Sequence, residues 1–187
     1  SIPKERMQVY FIDNDEYFKR KAIFSDEDDQ LFSDNDERAI FFAKGVVETV
    51  KKLNWAPDII HVHGWMASLL PLYIKEYYSD EPLFSESKIV TSVYDKDFEG
   101  SLNVGLVDKI KFDKISDDKI SILQEPNYTN IIKSAVSNSD AIVHGSSEIP
   151  EEIVEEIRKT DVPALSFQEE DSFESYLNFY KELISEE

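Results

Sequence analysis

The 187 residues carry 39 acidic against 20 basic side chains, a formal charge of −19, which repels phosphate backbones and anionic headgroups and argues against nucleic acid or a membrane surface as partner. Cysteine is absent, so disulfides and thiolate chemistry are excluded, and no apolar run approaches the ~20 residues of a membrane-spanning helix. Hydrophobic residues make up 41% of the chain, enough for a real core at this length, so residues 1–187 are read as a single domain of a cytoplasmic protein.

Residues 1–6 are neither a signal peptide nor a helix start, and they run straight into residues 7–13 (MQVYFID), a β-rich stretch read as a strand ended by Asn14-Asp15-Glu16. So abrupt an entry predicts that the first strands of the domain lie upstream. Residues 25–36 form an acidic, solvated loop. The pairs Ser33 with Asp36 and Asp34 with Glu37 then give capping signals for a helix. On that helix Ile40, Ala43, Val46, Val47, Val50 and Leu53 share one face, with Lys44, Glu48 and Lys51 on the other. Asn54-Trp55-Ala56-Pro57 ends it. Residues 58–63 are apolar on both faces as far as Val62, the pattern of a central parallel strand, and Gly64 turns the chain.

Helical spacing resumes over residues 69–77, where Pro71 marks a bend or an early turn. Residues 88–94 (KIVTSVY) form the next strand, and the strand, helix, strand alternation predicts a parallel sheet of βαβ units. Residues 95–128 lack a clean period and are read as loop with short helix. A helix over 127–137 leads to a strand at 140–144. Pro150 serves as first residue of a helix over 151–159, and 162–167 is a last short strand. Asp171 with Glu174 caps a closing helix on which Phe173, Tyr176, Leu177, Tyr180, Leu183 and Ile184 are expected to form one stripe.

Few residues have the spacing of a chemical site. His61 and His63 point to the same side of a strand, as a metal pair would, but no third ligand stands nearby and backbone bonds can satisfy both rings. Asp26, Asp28, Gln30 and Glu37 follow a calcium-loop spacing, yet Leu31 stands where the turn needs glycine. Neither a P-loop, a G-x-S-x-G nor a G-x-G-x-x-G occurs, so no phosphate cradle, metal site or cofactor is expected. Ligands of open α/β sheets bind beyond the carboxyl ends of the strands. Three such ends are distinctive: Asp13-Asn14-Asp15, His63-Gly64-Trp65 and Tyr94-Asp95-Lys96-Asp97. Asp95 and Asp97 are spaced for acid/base work, or are simply loop residues.

Four stretches between residues 9 and 100 follow one known family in order and spacing: VYFIDNDEYF, DNDERAIFFAKGVVETVKKLNWAPDIIHVHGW, LLPLYIKEYY and KIVTSVYDKDFEG. They resemble the bacterial glycogen and plant starch synthases, retaining glycosyltransferases of the two-domain GT-B type that use ADP-glucose. Residues 134–153 are similar to a strand and helix late in that family's first domain. The resemblance implies an α/β fold, a Rossmann-like three-layer domain with a mostly parallel sheet, corresponding to part of the N-terminal half of a GT-B enzyme. It implies transfer of glucose from ADP-glucose to an α-1,4-glucan as the family activity, and α-glucan or ADP-glucose as ligands.

The departures from the family matter as much. Its Lys-x-Gly-Gly-Leu diphosphate motif is not in these residues. Its His-x-His-Asp-Trp-His strand reads His61-Val62-His63-Gly64-Trp65-Met66, and its Thr-Ile-His-Asn turn reads Ser92-Val93-Tyr94-Asp95, so two polar groups facing the substrate are replaced. The chain also has no room for the second domain with its Arg, Lys and Glu. Expelling a diphosphate needs positive groups aimed at developing charge, and no basic cluster is present. The expectation is therefore a degenerate relative, a pseudoenzyme with no catalytic residues that keeps a sugar-binding remnant at Phe18, His63, Gly64, Trp65, Tyr94 and Asp95. Trp65 has core packing as its competing role. Two alternatives stay open: a module that binds a partner protein, and one piece of an active synthase completed elsewhere.

Overall fold

A computed structural model describes residues 7–169 and 173–185. Four strands, β1 (Ile59–His63), β2 (Lys88–Val93), β3 (Ala141–His144) and β4 (Ala164–Leu165), form one sheet in the order β1-β2-β3-β4, every pair parallel. The register sets His61 beside Val90, His63 beside Ser92 and Ser92 beside Val143. Side chains of one strand alternate between the two faces. Val62, Ile89, Val93 and Ile142 accordingly enter the main core, while Val90, Ala141 and Val143 enter a second, smaller cluster on the opposite side.

The main core is roofed by α2 (Asn35–Lys52), α6 (Tyr128–Ser137) and α7 (Glu151–Thr160), with the shorter α1 (Asp15–Phe18), α3 (Leu70–Leu72), α4 (Leu106–Phe112) and α5 (Asp117–Ile120) along its margin. The opposite face is covered by α8 (Phe173–Ser185), whose Phe179 and Leu183 pack on the sheet. A parallel sheet covered by helices on both faces is the three-layer α/β arrangement expected from the sequence. Local chemistry starts and stops the helices. Asn14 accepts hydrogen bonds from the backbone N–H groups of Glu16 and Tyr17, and Asn127 from that of Asn130. Helix α2 carries Asp36 and Glu37 in its first turn and Lys51 and Lys52 in its last, matching the helix dipole at both ends.

Several expectations are corrected. Residues 7–13 are not a strand: Met7, Val9 and Phe11 stand exposed, and Ile12 packs on Gly45 of α2. A strand exists only where a ladder partner exists, and β1 pairs with β2 alone among the described residues. The segment following Gly64 opens as a 3₁₀ turn over Trp65–Ala67, and the expected helix over 69–77 is α3, with Pro71 in its first turn, running on as a π-helical turn over Tyr73–Tyr77. Pro150 is the N-cap of α7 rather than its first helical residue, and the last strand shrinks to Ala164–Leu165. On α8 the stripe is rotated, burying Phe179 and Leu183 and exposing Phe173, Leu177 and Ile184. Asp171, the expected cap, lies outside the described residues.

The start of α2 is pinned by charge. Asp36 is fully buried, and Lys109 of α4 reaches its Oδ2 at 2.6 Å and Glu37 Oε1 at 2.7 Å. Arg38 donates to Asn35 Oδ1 at 2.6 Å, and Asn35 donates to the Phe24 carbonyl at 2.8 Å, tying down the loop before the helix. Removing the cation would strand a buried carboxylate. Lys109→Ala is therefore expected to lose on the order of 3 kcal/mol of unfolding free energy, measured by urea denaturation, whereas Lys96→Ala in an exposed pair should change it by less than about 0.5 kcal/mol.

Candidate functional site

The carboxyl ends of β1, β2 and β3 come together at His63, Tyr94 and Gly145, the end of an open parallel sheet where ligands bind. His63 is exposed, and its Nδ1 lies 2.7 Å from the Tyr94 hydroxyl. The Tyr94 ring packs against Gly145: a Cβ there would sit 2.3 Å from the ring, so glycine leaves room for it. Behind Tyr94 the turn is braced. Tyr128 donates to the Asp95 carbonyl at 2.8 Å, and the Asp95 N–H donates to Ser146 Oγ at 3.0 Å. Gly64, at φ 74°, holds the left-handed conformation that turns the chain out of β1.

The six residues expected to form the sugar-binding remnant do not all meet. His63, Gly64, Tyr94 and Asp95 share the strand-end face. Trp65 is 1% exposed and packs edge-on against Phe24 at 4.9 Å and Phe98 at 5.2 Å, so its ring belongs to the core. Phe18 stacks with Phe41 at 6.0 Å and under the Arg38 guanidinium at 5.4 Å, in the cluster between α1 and α2 rather than at the strand ends. Partial desolvation raises the Asp97 carboxyl above the usual carboxylate range.

His61 lies one pleat behind His63, the two rings 4.0 Å apart. Its Nε2 is 2.8 Å from Ser92 Oγ, and its Nδ1 bonds the hydroxyl of Tyr180 on α8. Both nitrogens are thus engaged within the protein. Burial pushes His61 down to about 4, helped by its neighbour His63, which burial also lowers. Among the described residues no three His, Cys, Asp or Glu side chains are grouped to hold a metal. Lys96, the cation of the strand-end turn, is held by Glu99 at 2.6 Å. Sequence pattern did not reveal the parts played by Tyr180 or Ser146, which reach the site from 119 and 51 residues away.

The family model for the starch synthase catalytic domain matches residues 1–165. The chain belongs to the glycogen and starch synthase family. It is 32% identical over 172 residues to a glycogen synthase of Chlorobium luteolum, covering 90% of this chain and 33% of that protein. It is 31% identical over 152 residues to a glycogen synthase of Vibrio parahaemolyticus, covering 80% of this chain and 30% of the other. The catalytic domain of starch synthase IV from Arabidopsis thaliana, bound to ADP and acarbose, superposes with a TM-score of 0.61 at 14% identity, over 81% of this chain and 32% of that one. The synthase-family chain thus spans about a third of the length of the curated relatives it matches. The family match extends well past Gly100 and ends before α8. No helix among the described residues is long and apolar enough to cross a membrane.

The paired imidazoles set a pH dependence whose sign follows from linkage. An unfolded His61 titrates near 6.5 and the folded one near 4, so between these values the unfolded chain holds the extra proton and stability falls as pH drops. Below about 4 the group adds no further loss. In urea titrations from pH 7 to 4, His61→Gln is expected to flatten the decline relative to the wild type; an equally steep decline would show that the loss arises elsewhere.

Proposed function

We propose that this chain is a non-catalytic member of the glycogen and starch synthase family that holds α-glucan at the strand-end face and, by itself, does not transfer glucose from ADP-glucose. The observation that carries this is electrostatic. Transfer from a sugar nucleotide needs cations or backbone donors converging on the departing diphosphate, and Lys96, the lysine of the strand-end turn, is paired with Glu99 in a chain of net charge −19. A neutral polyol faces no such barrier. It requires hydrogen-bonding groups on a firm scaffold, which His63, Tyr94 and Asp95 supply. The same proposal assigns a cytoplasmic place of action, with ADP-glucose as a weaker ligand than glucan.

A second reading is favoured by one observation. Met7, Val9, Phe11 and Trp55 are exposed apolar side chains, 87% in the case of Phe11, and β1 pairs on one edge only among the described residues. Such a surface suits a protein partner or the remainder of a longer synthase.

Calorimetry with maltoheptaose and with ADP-glucose, beside an assay of labelled glucose incorporation into glycogen, tests the proposal. The expected result is maltoheptaose binding that weakens roughly tenfold in His63→Ala, with no incorporation above background. Turnover by the purified chain would remove the non-catalytic assignment. Silence toward glucan at millimolar concentration would remove the sugar site and leave the protein-partner reading.

A further inference from the structure

Helix α6 carries Ser134, Ser137 and Asn138 on one face, three and four residues apart, and turns them toward α5 and the 3₁₀ turn over Ser121–Gln124. Between these elements lies a cleft of about 230 Å³, lined by those three side chains together with Asp118, Ser121 and Ile122. Ser134 forms its floor at 2% exposure, and its Oγ has no hydrogen-bond partner among the described residues. Its neighbours on the helix are already committed. The Ser137 hydroxyl donates to the Lys133 carbonyl at 2.9 Å, and Asn138 Nδ2 donates to the Ser134 carbonyl at 2.8 Å. A buried hydroxyl left unpaired costs stability that a single bond to a ligand recovers.

The lining decides the class of that ligand. An anion would meet the Asp118 carboxylate at the rim and the C-terminal, negative end of the α6 dipole. Lys119, the lysine of the lining, is held by Glu76 at 3.2 Å. A metal ion would find the carbonyls of the last turn in use: Ala135 accepts from the Asn138 N–H and the Ser139 hydroxyl, and Val136 accepts from the Ser139 N–H. Hydroxyls, an amide and one carboxylate remain, beside the apolar side chain of Ile122. Mixed donors and acceptors next to an apolar surface suit an uncharged ring that carries hydroxyls on its edge and C–H groups on its face.

This cleft is remote from the strand ends. Tyr128, the first residue of α6, bonds the Asp95 carbonyl at the strand-end turn, whereas Asp140, just past the end of α6, receives the N–H of Ile89 near the start of β2. The ten residues of α6 span about 15 Å, so the cleft faces the amino ends of the strands. We infer that the cleft between α5 and α6 is a second binding site, for one neutral polyhydroxylated ring of hexose size, either a free monosaccharide or a single unit of a glucan chain. Ser134 Oγ holds the ring at the floor, and Asn138 and Asp118 hold it at the rim. The site uses other residues at the opposite end of the sheet and does not rest on the strand-end proposal above.

Amide proton–nitrogen spectra of the full chain, titrated in parallel with D-glucose and with maltoheptaose at millimolar concentration, test the assignment. The expected result is a saturating shift of the Ser121, Ile122, Ser134 and Asn138 amides. A response to glucose marks a free monosaccharide, and a response to maltoheptaose alone marks a chain unit; either supports the class. Ser134→Ala removes the hydroxyl without breaking a bond inside the protein, so its melting temperature is expected at or above that of the wild type while binding weakens roughly threefold to tenfold. Asp118→Ala, at the exposed rim, should weaken binding in the same direction without disturbing the floor. Silence toward both sugars would mean that the floor hydroxyl is met by an ordered water only, and overturns the site. A response to inorganic phosphate or potassium in place of sugar overturns the ligand class. Shifts confined to Tyr94, Asp95 and Ser146 would remove the cleft and leave the strand-end proposal standing.

Discussion

Both faces of a parallel sheet have to be shielded from water, and the remainder of this structure follows from how the second face is closed. One face is deep, roofed by α2, α6 and α7. The other has a small apolar cluster at Val90, Ala141 and Val143, and a single helix, α8, lies over it. Because strand side chains alternate, β1 sends Val62 into the large core and His61 and His63 to the α8 side. The half-buried ring of His61 loses hydration, which favours its neutral form, and such a ring needs a partner for each nitrogen. Tyr180 and Ser92 are those partners, and Tyr94 meets Nδ1 of the more exposed His63. Packing and polarity on this face are thus one problem with one solution.

Cations are used elsewhere in the same economical way. Lys109 holds the buried Asp36, Lys44 reaches Asp113 at 2.6 Å, and Lys75 reaches Asp140 at 2.7 Å. Each ties one helix to a neighbouring segment, and Asp113 also accepts from Tyr73 at 2.7 Å in the π-helical turn. In a chain with about half as many basic as acidic residues, lysines committed to such pairs are not presented to a diphosphate. The strand-end face is left with an imidazole, a phenol and a carboxylate, groups that recognise hydroxyls. Family membership and the surviving sheet topology explain why such a face exists; its charge explains the ligand class proposed for it.

Much of the architecture was legible in local pattern. Five of the six apolar positions expected for α2, the two-sided apolar run of β1, the periodicity change between β1 and β2, and the helix over 127–137 each state their element within a few residues, whereas Leu53 caps α2 and is exposed. The same holds for the side on which His61 and His63 both fall, because a two-residue repeat fixes direction. Errors fell where a neighbour decides. Residues 7–13 have the composition of a strand but no ladder partner, and on α8 an apolar stripe that could be drawn through Phe173 and Leu177 was overruled by the shape of the sheet, which admits Phe179 and Leu183.

From residues alone came the family, the parallel α/β plan, the strand ends as the candidate ligand edge and the excess of acidic over basic residues, since composition, period and motif are local quantities. Tertiary structure alone decided that Trp65 is core, that Phe18 belongs to a cluster between α1 and α2, that Tyr94 rests on Gly145, and that Tyr180 reaches across 119 residues to His61. Those contacts depend on distances between segments remote in the chain, and close packing sets such distances only when all the layers are assembled.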